Sequence, residues 1–103
     1  MGIFSWLFGD SAKQDLTGII NDGAYLVDVR SPRELSQNHV KGSVNIPLDS
    51  IPSQLAKFRN KKHIIVFCRS GNRSSQAKSY LEQNGFTNVV NGGTEEIVNQ
   101  FVS

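Results

Sequence analysis

The sequence predicts an α/β fold, in which a central, mainly parallel sheet carries helices on both of its faces. Apolar runs of strand length alternate along the chain with segments of helical periodicity, a pattern typical of parallel α/β proteins. Two runs are almost continuously apolar, as expected for strands buried on both faces: YLVDV over 25–29 and HIIVF over 63–67. With 103 residues, the chain is long enough for one hydrophobic core and for no second one.

Each element is predicted from its own local pattern. The predicted strands are the short apolar runs 25–29, 43–46, 63–67 and 86–90. Helices are predicted over 12–21, from 31 onwards, and over 50–58, 74–84 and 94–101. The second of these begins with Ser31-Pro32-Arg33-Glu34, which is a capping box with proline at the first helical position.

The composition excludes several classes of function. The formal net charge is +2 and the basic residues are scattered, so we expect no nucleic-acid partner. One cysteine and two histidines offer no zinc-ligand spacing, so we expect no metal. A single cysteine cannot form an internal disulfide, which favours a reducing compartment and predicts a cytoplasmic protein.

Residues 1–10, MGIFSWLFGD, form an apolar lead-in before a single domain over 11–103. The lead-in lacks the Lys or Arg that begins a signal peptide, and it is far shorter than the ~20 apolar residues of a spanning helix. We expect it to pack on the domain or on a neighbouring molecule. Weak association with a membrane surface, or self-association, through residues 3–8 is the alternative.

The only cysteine, Cys68, follows the most apolar strand and precedes a predicted helix. Ligands of open α/β sheets bind at this end of the strands. The connecting loop 69–73 is short, and its glycine and asparagine tolerate the left-handed backbone of a tight turn. Such a loop directs backbone N–H groups inward and stabilises an anion such as a thiolate. A buried cysteine is by default a small core residue, but this polar loop favours an activated nucleophile instead.

Four motifs occur in order along the chain, and together they carry a family resemblance. They are Leu26-Val27-Asp28-Val29-Arg30 with Pro32 and Glu34, then His39-Val40-Lys41-Gly42-Ser43 with Asn45-Ile46-Pro47, then Cys68-Arg69-Ser70-Gly71-Asn72-Arg73-Ser74, and finally Gly92-Gly93. Each motif is weak alone, but the four at this spacing are specific. From about Leu16 to the C-terminus, the chain resembles a single-domain rhodanese.

The resemblance implies a rhodanese-like fold and a thiosulfate sulfurtransferase activity. A sulfane sulfur would move from thiosulfate or another persulfide donor to a thiol or cyanide acceptor, through a persulfide on the catalytic residue Cys68. No cofactor is implied. With no second cysteine, the acceptor must come from outside the chain, as a small thiol or a partner protein. The substrate would be held by the residues that follow the nucleophile, namely Arg69, Ser70, Gly71, Asn72, Arg73 and Ser74.

Three alternatives remain open at this stage. The protein could be a carrier or regulatory module that passes the persulfide sulfur between proteins, or a binding domain without catalysis. Related phosphatases and arsenate reductases form the third, but they have five residues between the cysteine and arginine of this loop. Only four separate Cys68 from Arg73 here, which favours sulfur transfer.

Four further residues are interpreted as structural support for the site: Asp28, Arg30, Glu34 and His39. Asp28 and Arg30 close a strand, and we expect Arg30 to pair with Glu34. We expect His39 to hold its own turn together, because the persulfide route needs no strong base. The chain departs from the family where Asn38 replaces a frequent glycine, and where no tryptophan follows Gly92-Gly93.

Overall fold

The computed structural model of the protein describes residues 15–102, and these form a four-stranded sheet with helices on both faces. The strands are β1 (Tyr25–Asp28), β2 (Val44–Asn45), β3 (Ile64–Cys68) and β4 (Val89–Thr94). Their order across the sheet is β2-β1-β3-β4, and every neighbouring pair is parallel. The predicted fold class is therefore confirmed.

Within the described residues, five helical segments connect and flank the strands. They are α1 (Thr17–Asn21), α2 (Pro32–Leu35), a 3₁₀ segment (Leu48–Phe58), α3 (Asn72–Gln83) and α4 (Glu95–Asn99). The capping box predicted for α2 is present: Ser31 Oγ accepts from the Glu34 N–H, and the Glu34 side chain accepts from the Ser31 N–H. At α4 the Thr94 hydroxyl oxygen accepts from the Ile97 N–H, which satisfies an otherwise unpaired donor in the first turn.

Strand β3 is buried along its whole length because apolar layers cover both faces of the sheet. Alternate residues of β3 point in opposite directions, so Ile64, Val66 and Cys68 face one layer. That layer is completed by residues of the 3₁₀ segment and of α3, including Ile51, Phe58, Ala77 and Leu81. Ile65 and Phe67 face the second layer, which contains Leu16, Leu26, Val40 and Val98.

The strand order places the end of β3 at the point where the chain changes direction across the sheet. From β1 the chain moves outward to β2, and it then returns to the other side of β1 to form β3 and β4. At such a switch point the connections leave in opposite directions and open a crevice at the carboxyl ends of the central strands. Cys68 and Asp28, the last residues of β3 and β1, therefore lie at the edge of this crevice.

Several bounds shift by a few residues, and two elements differ in position or type from the sequence prediction. The last strand lies over Val89–Thr94 rather than 86–90, because Val89 pairs with the start of β3 at Ile64. Phe86 instead packs from a connecting segment against the ring of Phe58, with centroids 6.2 Å apart. The helix predicted over 50–58 is a 3₁₀ segment over Leu48–Phe58 that is kinked at Gln54 and contains Pro52, which removes one backbone donor.

The predicted lead-in, residues 1–10, lies outside the described residues, as do residues 12–14 of the first predicted helix. Within residues 15–102, no helix has both the length and the apolar character needed to cross a membrane.

Gly92 is required where β4 approaches its neighbours closely. A Cβ atom at this position would lie 2.7 Å from Val98 Cγ2 and 2.8 Å from Ile65 Cγ2. We expect Gly92→Ala to lower the free energy of unfolding by about 1–3 kcal/mol, the usual cost of overpacking a core. Urea denaturation followed by circular dichroism measures this change.

The matched control is Gly18→Ala in α1, where a Cβ would meet no atom within 4 Å. Alanine is the better helix former, so this variant should be as stable as the wild type or slightly more stable. Equal stability of the two variants would contradict the close packing assigned to Gly92.

Candidate active site

The sulfur of Cys68 lies in a cradle of hydrogen-bond donors formed by the loop between β3 and α3. The backbone N–H groups of Gly71 and Ser74 donate to Cys68 Sγ at 3.0 and 3.4 Å. The Ser74 hydroxyl oxygen lies 3.5 Å from the same sulfur. Cys68 is fully buried, so this polar cradle takes the place of water around the sulfur.

The cradle depends on one residue with left-handed backbone. Gly71 has φ 93° and is the N-cap of α3, which starts at Asn72, two residues earlier than predicted. A residue with a Cβ would be strained in this conformation, and glycine adopts it without cost. The turn directs the first N–H groups of α3 back towards Cys68, where they and the helix dipole stabilise negative charge.

The pKa of the Cys68 thiol reflects two opposing influences. Burial is the largest single influence and raises the pKa. The Ser74 hydroxyl and the N–H groups of Ser74, Ser70 and Gly71 act in the opposite direction, and together they bring the pKa below its usual value. Because hydrogen bonds to the charged form favour that form, the cradle favours a thiolate nucleophile.

The loop side chains divide into two groups around this sulfur. Ser74 is fully buried, and its hydroxyl is directed into the site. Arg69, Ser70 and Asn72 are exposed, and Arg73 is half-buried. The loop thus contributes N–H groups at its centre and two cationic side chains at its rim.

Glu34 binds the rim arginines across the crevice. It forms a bidentate pair with Arg73, with Oε1 2.7 Å from Nη1 and Oε2 2.9 Å from Nη2. Its Oε2 also lies 3.7 Å from Arg69 Nε. Arg73, followed by the Ser31 N–H, holds the pKa of Glu34 well below its ordinary value. Glu34 therefore links the capping box of α2 to the first turn of α3.

Arg30 pairs with Asp28 rather than with Glu34 as expected. Both side chains are fully buried, and Arg30 Nη2 lies 2.7 Å from Asp28 Oδ2. The remaining guanidinium donors reach Asn38, at Oδ1 (3.0 Å) and at the carbonyl oxygen (2.9 Å). Glu34 is unavailable to Arg30 because Arg73 occupies both of its oxygens. The Asp28–Arg30 pair thus anchors the segment after α2. The side chain of Asn38, which stands where the family frequently has glycine, supplies one of the acceptors for Arg30.

His39 lies at the exposed surface rather than inside the turn that it was expected to hold. Within residues 15–102, no hydrogen bond involves its ring, and the turn is closed by Ser43. The Ser43 hydroxyl and N–H both donate to the Val40 carbonyl oxygen, at 2.7 and 3.1 Å.

Two asparagines to which the sequence assigned no role, Asn45 and Asn91, take part in the site. Asn45 Nδ2 donates to the carbonyl oxygens of Asp28 and Arg30, at 2.8 and 2.9 Å, and so fixes the chain after β1. Asn91 Oδ1 lies 2.8 Å from the Ser74 hydroxyl. The available signals were their positions, because Asn45 lies near the end of a predicted strand and Asn91 precedes the glycine pair.

A pocket of about 290 Å³ opens beside the rim, at the carboxyl ends of β1 and β2. It is lined by Val29, Ser31, Pro47, Leu48, Asp49 and Arg73. Arg73 belongs both to this pocket and to the cysteine loop, so the pocket adjoins the site. In the part of the chain that is described, no group of three His, Cys, Asp or Glu side chains could hold a metal ion.

Comparison with known proteins agrees with this fold. The rhodanese-like domain family matches residues 12–100, and the chain belongs to this family. It is 39% identical over 69 residues to "Thiosulfate sulfurtransferase PspE" of Escherichia coli (strain K12). This match covers 65% of this chain and 66% of that protein. The chain therefore spans just under two thirds of the length of this relative.

Two further similarities extend the comparison. The chain is 41% identical over 75 residues to "Thiosulfate sulfurtransferase GlpE" of Pseudomonas savastanoi pv. phaseolicola, with 71% of each protein covered. Among solved structures, "rhodanese with anions from E. coli" matches with a TM-score of 0.66 and 35% identity, over 73% of this chain and 91% of that chain. The fold is thus the rhodanese fold.

The Glu34–Arg73 pair gives a testable pH dependence of stability. The pKa of Glu34 is lower in the folded state than in the unfolded state, where a glutamate has a pKa of about 4.3. The ion pair therefore contributes its full stabilisation at pH values above about 4.3. The effect is lost as the pH falls towards the lower, folded-state pKa. We expect Glu34→Gln to be less stable by about 1 kcal/mol at pH 7, and we expect this difference to shrink progressively as the pH falls below about 4. Urea unfolding at several pH values measures the difference.

Glu82→Gln is the matched control, since it removes the carboxylate of an exposed pair with Lys78 within α3. It should cost less stability at pH 7 than Glu34→Gln does. A constant difference between Glu34→Gln and the wild type from pH 7 to pH 3 would contradict the role of the ion pair.

Proposed function

We propose that the protein is a sulfurtransferase that moves a sulfane sulfur from thiosulfate, or from another persulfide donor, to a thiol or to cyanide. Cys68 would be the nucleophile and would carry the sulfur as a persulfide. The observation that carries the proposal is the cradle around Cys68 Sγ, in which Gly71 and Ser74 direct N–H groups at the sulfur. Such donors suit both a thiolate and the anionic outer sulfur of a persulfide.

In the first half of the reaction, the Cys68 thiolate attacks the sulfane sulfur of thiosulfate. A new S–S bond forms to Cys68 while the sulfur–sulfur bond of thiosulfate breaks, and sulfite leaves with the electron pair. The outer sulfur of the resulting persulfide is anionic. It projects beyond Sγ by an S–S bond of about 2.05 Å. Ser70 and Asn72 are exposed residues of this loop, and we expect the donor to approach past them.

In the second half, the acceptor attacks the outer sulfur. With cyanide, a carbon–sulfur bond forms, the S–S bond breaks, and thiocyanate leaves, so the Cys68 thiolate is regenerated. A thiol acceptor attacks as its thiolate and becomes a persulfide in turn. The chain has no second cysteine, so this acceptor is another molecule.

The charges at the rim favour an anionic donor. Arg69 and Arg73 carry two positive charges, and Glu34 supplies one negative charge between them. Arg73 is held bidentately, whereas Arg69 is 54% exposed and 3.7 Å from the carboxylate. One net positive charge therefore remains beside the cradle, and Arg69 is the side chain that can turn towards thiosulfate.

The relatives support this reaction, because PspE and GlpE are both named thiosulfate sulfurtransferases. The loop length supports it as well, since four residues between Cys68 and Arg73 form a smaller ring than the phosphatase loop. We place the reaction in the cytoplasm, where the lone thiol would stay reduced. We assign Asp28, Arg30 and Glu34 to support of the site rather than to contact with the substrate.

The first test is to detect the persulfide directly. The purified protein is incubated with thiosulfate, freed of excess reagent and weighed by intact-mass spectrometry, beside Cys68→Ser. We expect the wild type alone to gain the mass of one sulfur atom and to lose it when cyanide is added.

Each outcome of this test has a defined meaning. A sulfur adduct on Cys68→Ser would refute Cys68 as the carrier. If the wild type gains no sulfur from thiosulfate but gains it from a protein persulfide, a role as a carrier between proteins replaces thiosulfate turnover. No adduct from either donor would overturn the proposed function.

A second test concerns Arg69. We expect Arg69→Gln to raise the KM for thiosulfate about two- to fivefold, in line with the ~0.2–1 kcal/mol of an exposed ion pair, and to change kcat less. The increase should shrink at high ionic strength because salt screens exposed charges. Steady-state production of thiocyanate measures both constants.

Arg59→Gln is the control for this test, because it removes the same charge from an exposed position at the end of the 3₁₀ segment. Its KM should stay close to that of the wild type. Equal effects of the two substitutions would show that overall charge, rather than Arg69 itself, attracts the donor.

A further inference from the structure

A side chain of β4 contacts the hydroxyl that faces the nucleophile. The Ser74 hydroxyl lies 2.8 Å from Asn91 Oδ1, which is shorter than its distances to the carbonyl oxygens of Gly71 (3.1 Å) and Gly93 (3.4 Å). Its distance to Cys68 Sγ is 3.5 Å. Ser74 is fully buried, so no bulk water competes for these contacts.

The backbone determines which end of the Asn91 amide faces Ser74. The same Asn91 atom that contacts the hydroxyl also accepts from the Gly93 N–H, at 2.9 Å. A backbone N–H can only donate, so this atom must be the amide oxygen and not the nitrogen. An oxygen carries no proton here, and the Ser74 hydroxyl must therefore be the donor of the 2.8 Å bond.

A serine hydroxyl has one hydrogen, and this limits what it can do for Cys68. While the hydrogen is donated to Asn91, Ser74 presents only lone pairs to the sulfur, and these stabilise the neutral thiol by accepting its S–H. A thiolate needs the opposite arrangement, with the hydroxyl hydrogen turned towards sulfur. Asn91 and an ionised Cys68 therefore compete for a single hydrogen.

We propose that Asn91 is a positioning residue that holds the Ser74 hydroxyl away from the sulfur and so restrains the reactivity of Cys68. Negative charge on the sulfur overcomes this restraint, because a charged acceptor binds a hydroxyl more strongly than an amide oxygen does. The hydroxyl thus turns to sulfur when Cys68 is ionised. This inference deepens the proposed function, since it rests on Cys68 as the nucleophile of that same site.

The charged groups around the site are separate from this contact. Arg73, in the first turn of α3, is bound by Glu34 of α2. Arg69 lies at the exposed rim, and Asp28 at the end of β1 is paired with Arg30. A neutral substitution at Asn91 leaves all of these charges in place. A change in Cys68 reactivity caused by such a substitution therefore reports on the Ser74 hydroxyl.

The test uses Asn91→Leu, which keeps the approximate shape of the side chain and removes the acceptor. The rate of alkylation of Cys68 by iodoacetamide is measured against pH. We expect the midpoint of the profile to move to lower pH and the rate at neutral pH to rise about fivefold, as for one hydrogen bond of ~1 kcal/mol. Asn91→Asp should have the opposite effect, because a carboxylate binds the hydroxyl more strongly and repels the thiolate.

Ser74→Ala separates positioning from a general disturbance of the loop. If Asn91 acts through the Ser74 hydroxyl, Asn91→Leu has no effect on the alkylation profile in the Ser74→Ala background. Ser75→Ala, at the next and exposed position of α3, is the matched control and should leave the effect of Asn91→Leu intact.

Three outcomes would overturn the inference. The first is a profile of Asn91→Leu that is unchanged or moved to higher pH. The second is an equal effect of Asn91→Leu with and without Ser74. The third, which still applies if Asn91→Leu does not fold, is an Asn91→Asp profile that matches the wild type. Alkylation requires no sulfur donor, so this test stands apart from the persulfide test: a wild type that gains no sulfur refutes only the proposed function.

Discussion

The arrangement of the whole site depends on the left-handed turn at Gly71. Strand β3 is buried on both faces and fixes Cys68 at its end, but a straight continuation would leave the sulfur among apolar side chains. The turn instead starts α3 directly beside the sulfur, so that the unpaired N–H groups of the first helical turn point at Sγ. A buried thiol, which would otherwise be a core residue, thereby gains hydrogen-bond donors that stabilise its thiolate form.

Three arginines near this turn have different physical tasks because their carboxylate partners hold them with different geometry and exposure. Arg30 is fully buried, and Asp28 neutralises it at the end of β1. Arg73 is held by Glu34, and this bond ties α2 to α3 on opposite sides of the crevice. Arg69 keeps the weakest contact and the largest exposure. The fixed pairs hold the loop, and the remaining positive charge is left where an anionic donor would arrive.

The glycine pair of β4 links the sheet to the same sulfur. Gly92 allows close approach to Ile65 and Val98, and the pairing of β4 with β3 is irregular at this point, between Val66 and Phe67. This irregularity lets Gly93 donate to Asn91 Oδ1, which orients the amide towards Ser74. A backbone feature of the edge strand therefore sets the direction of the amide that contacts the Ser74 hydroxyl.

The sequence by itself determined the α/β class, the capping box at Ser31, and the position of Cys68 at the carboxyl end of a buried strand. These follow from local patterns: apolar runs, capping residues and a glycine-containing polar loop. It did not determine the partners of the arginines, the register of β4 or the part played by Asn91. Arg73 lies 39 residues from Glu34, and Ser74 lies 17 residues from Asn91. Such contacts arise only when strand order and helix packing bring distant segments together, so the tertiary structure alone decided how the thiol is surrounded.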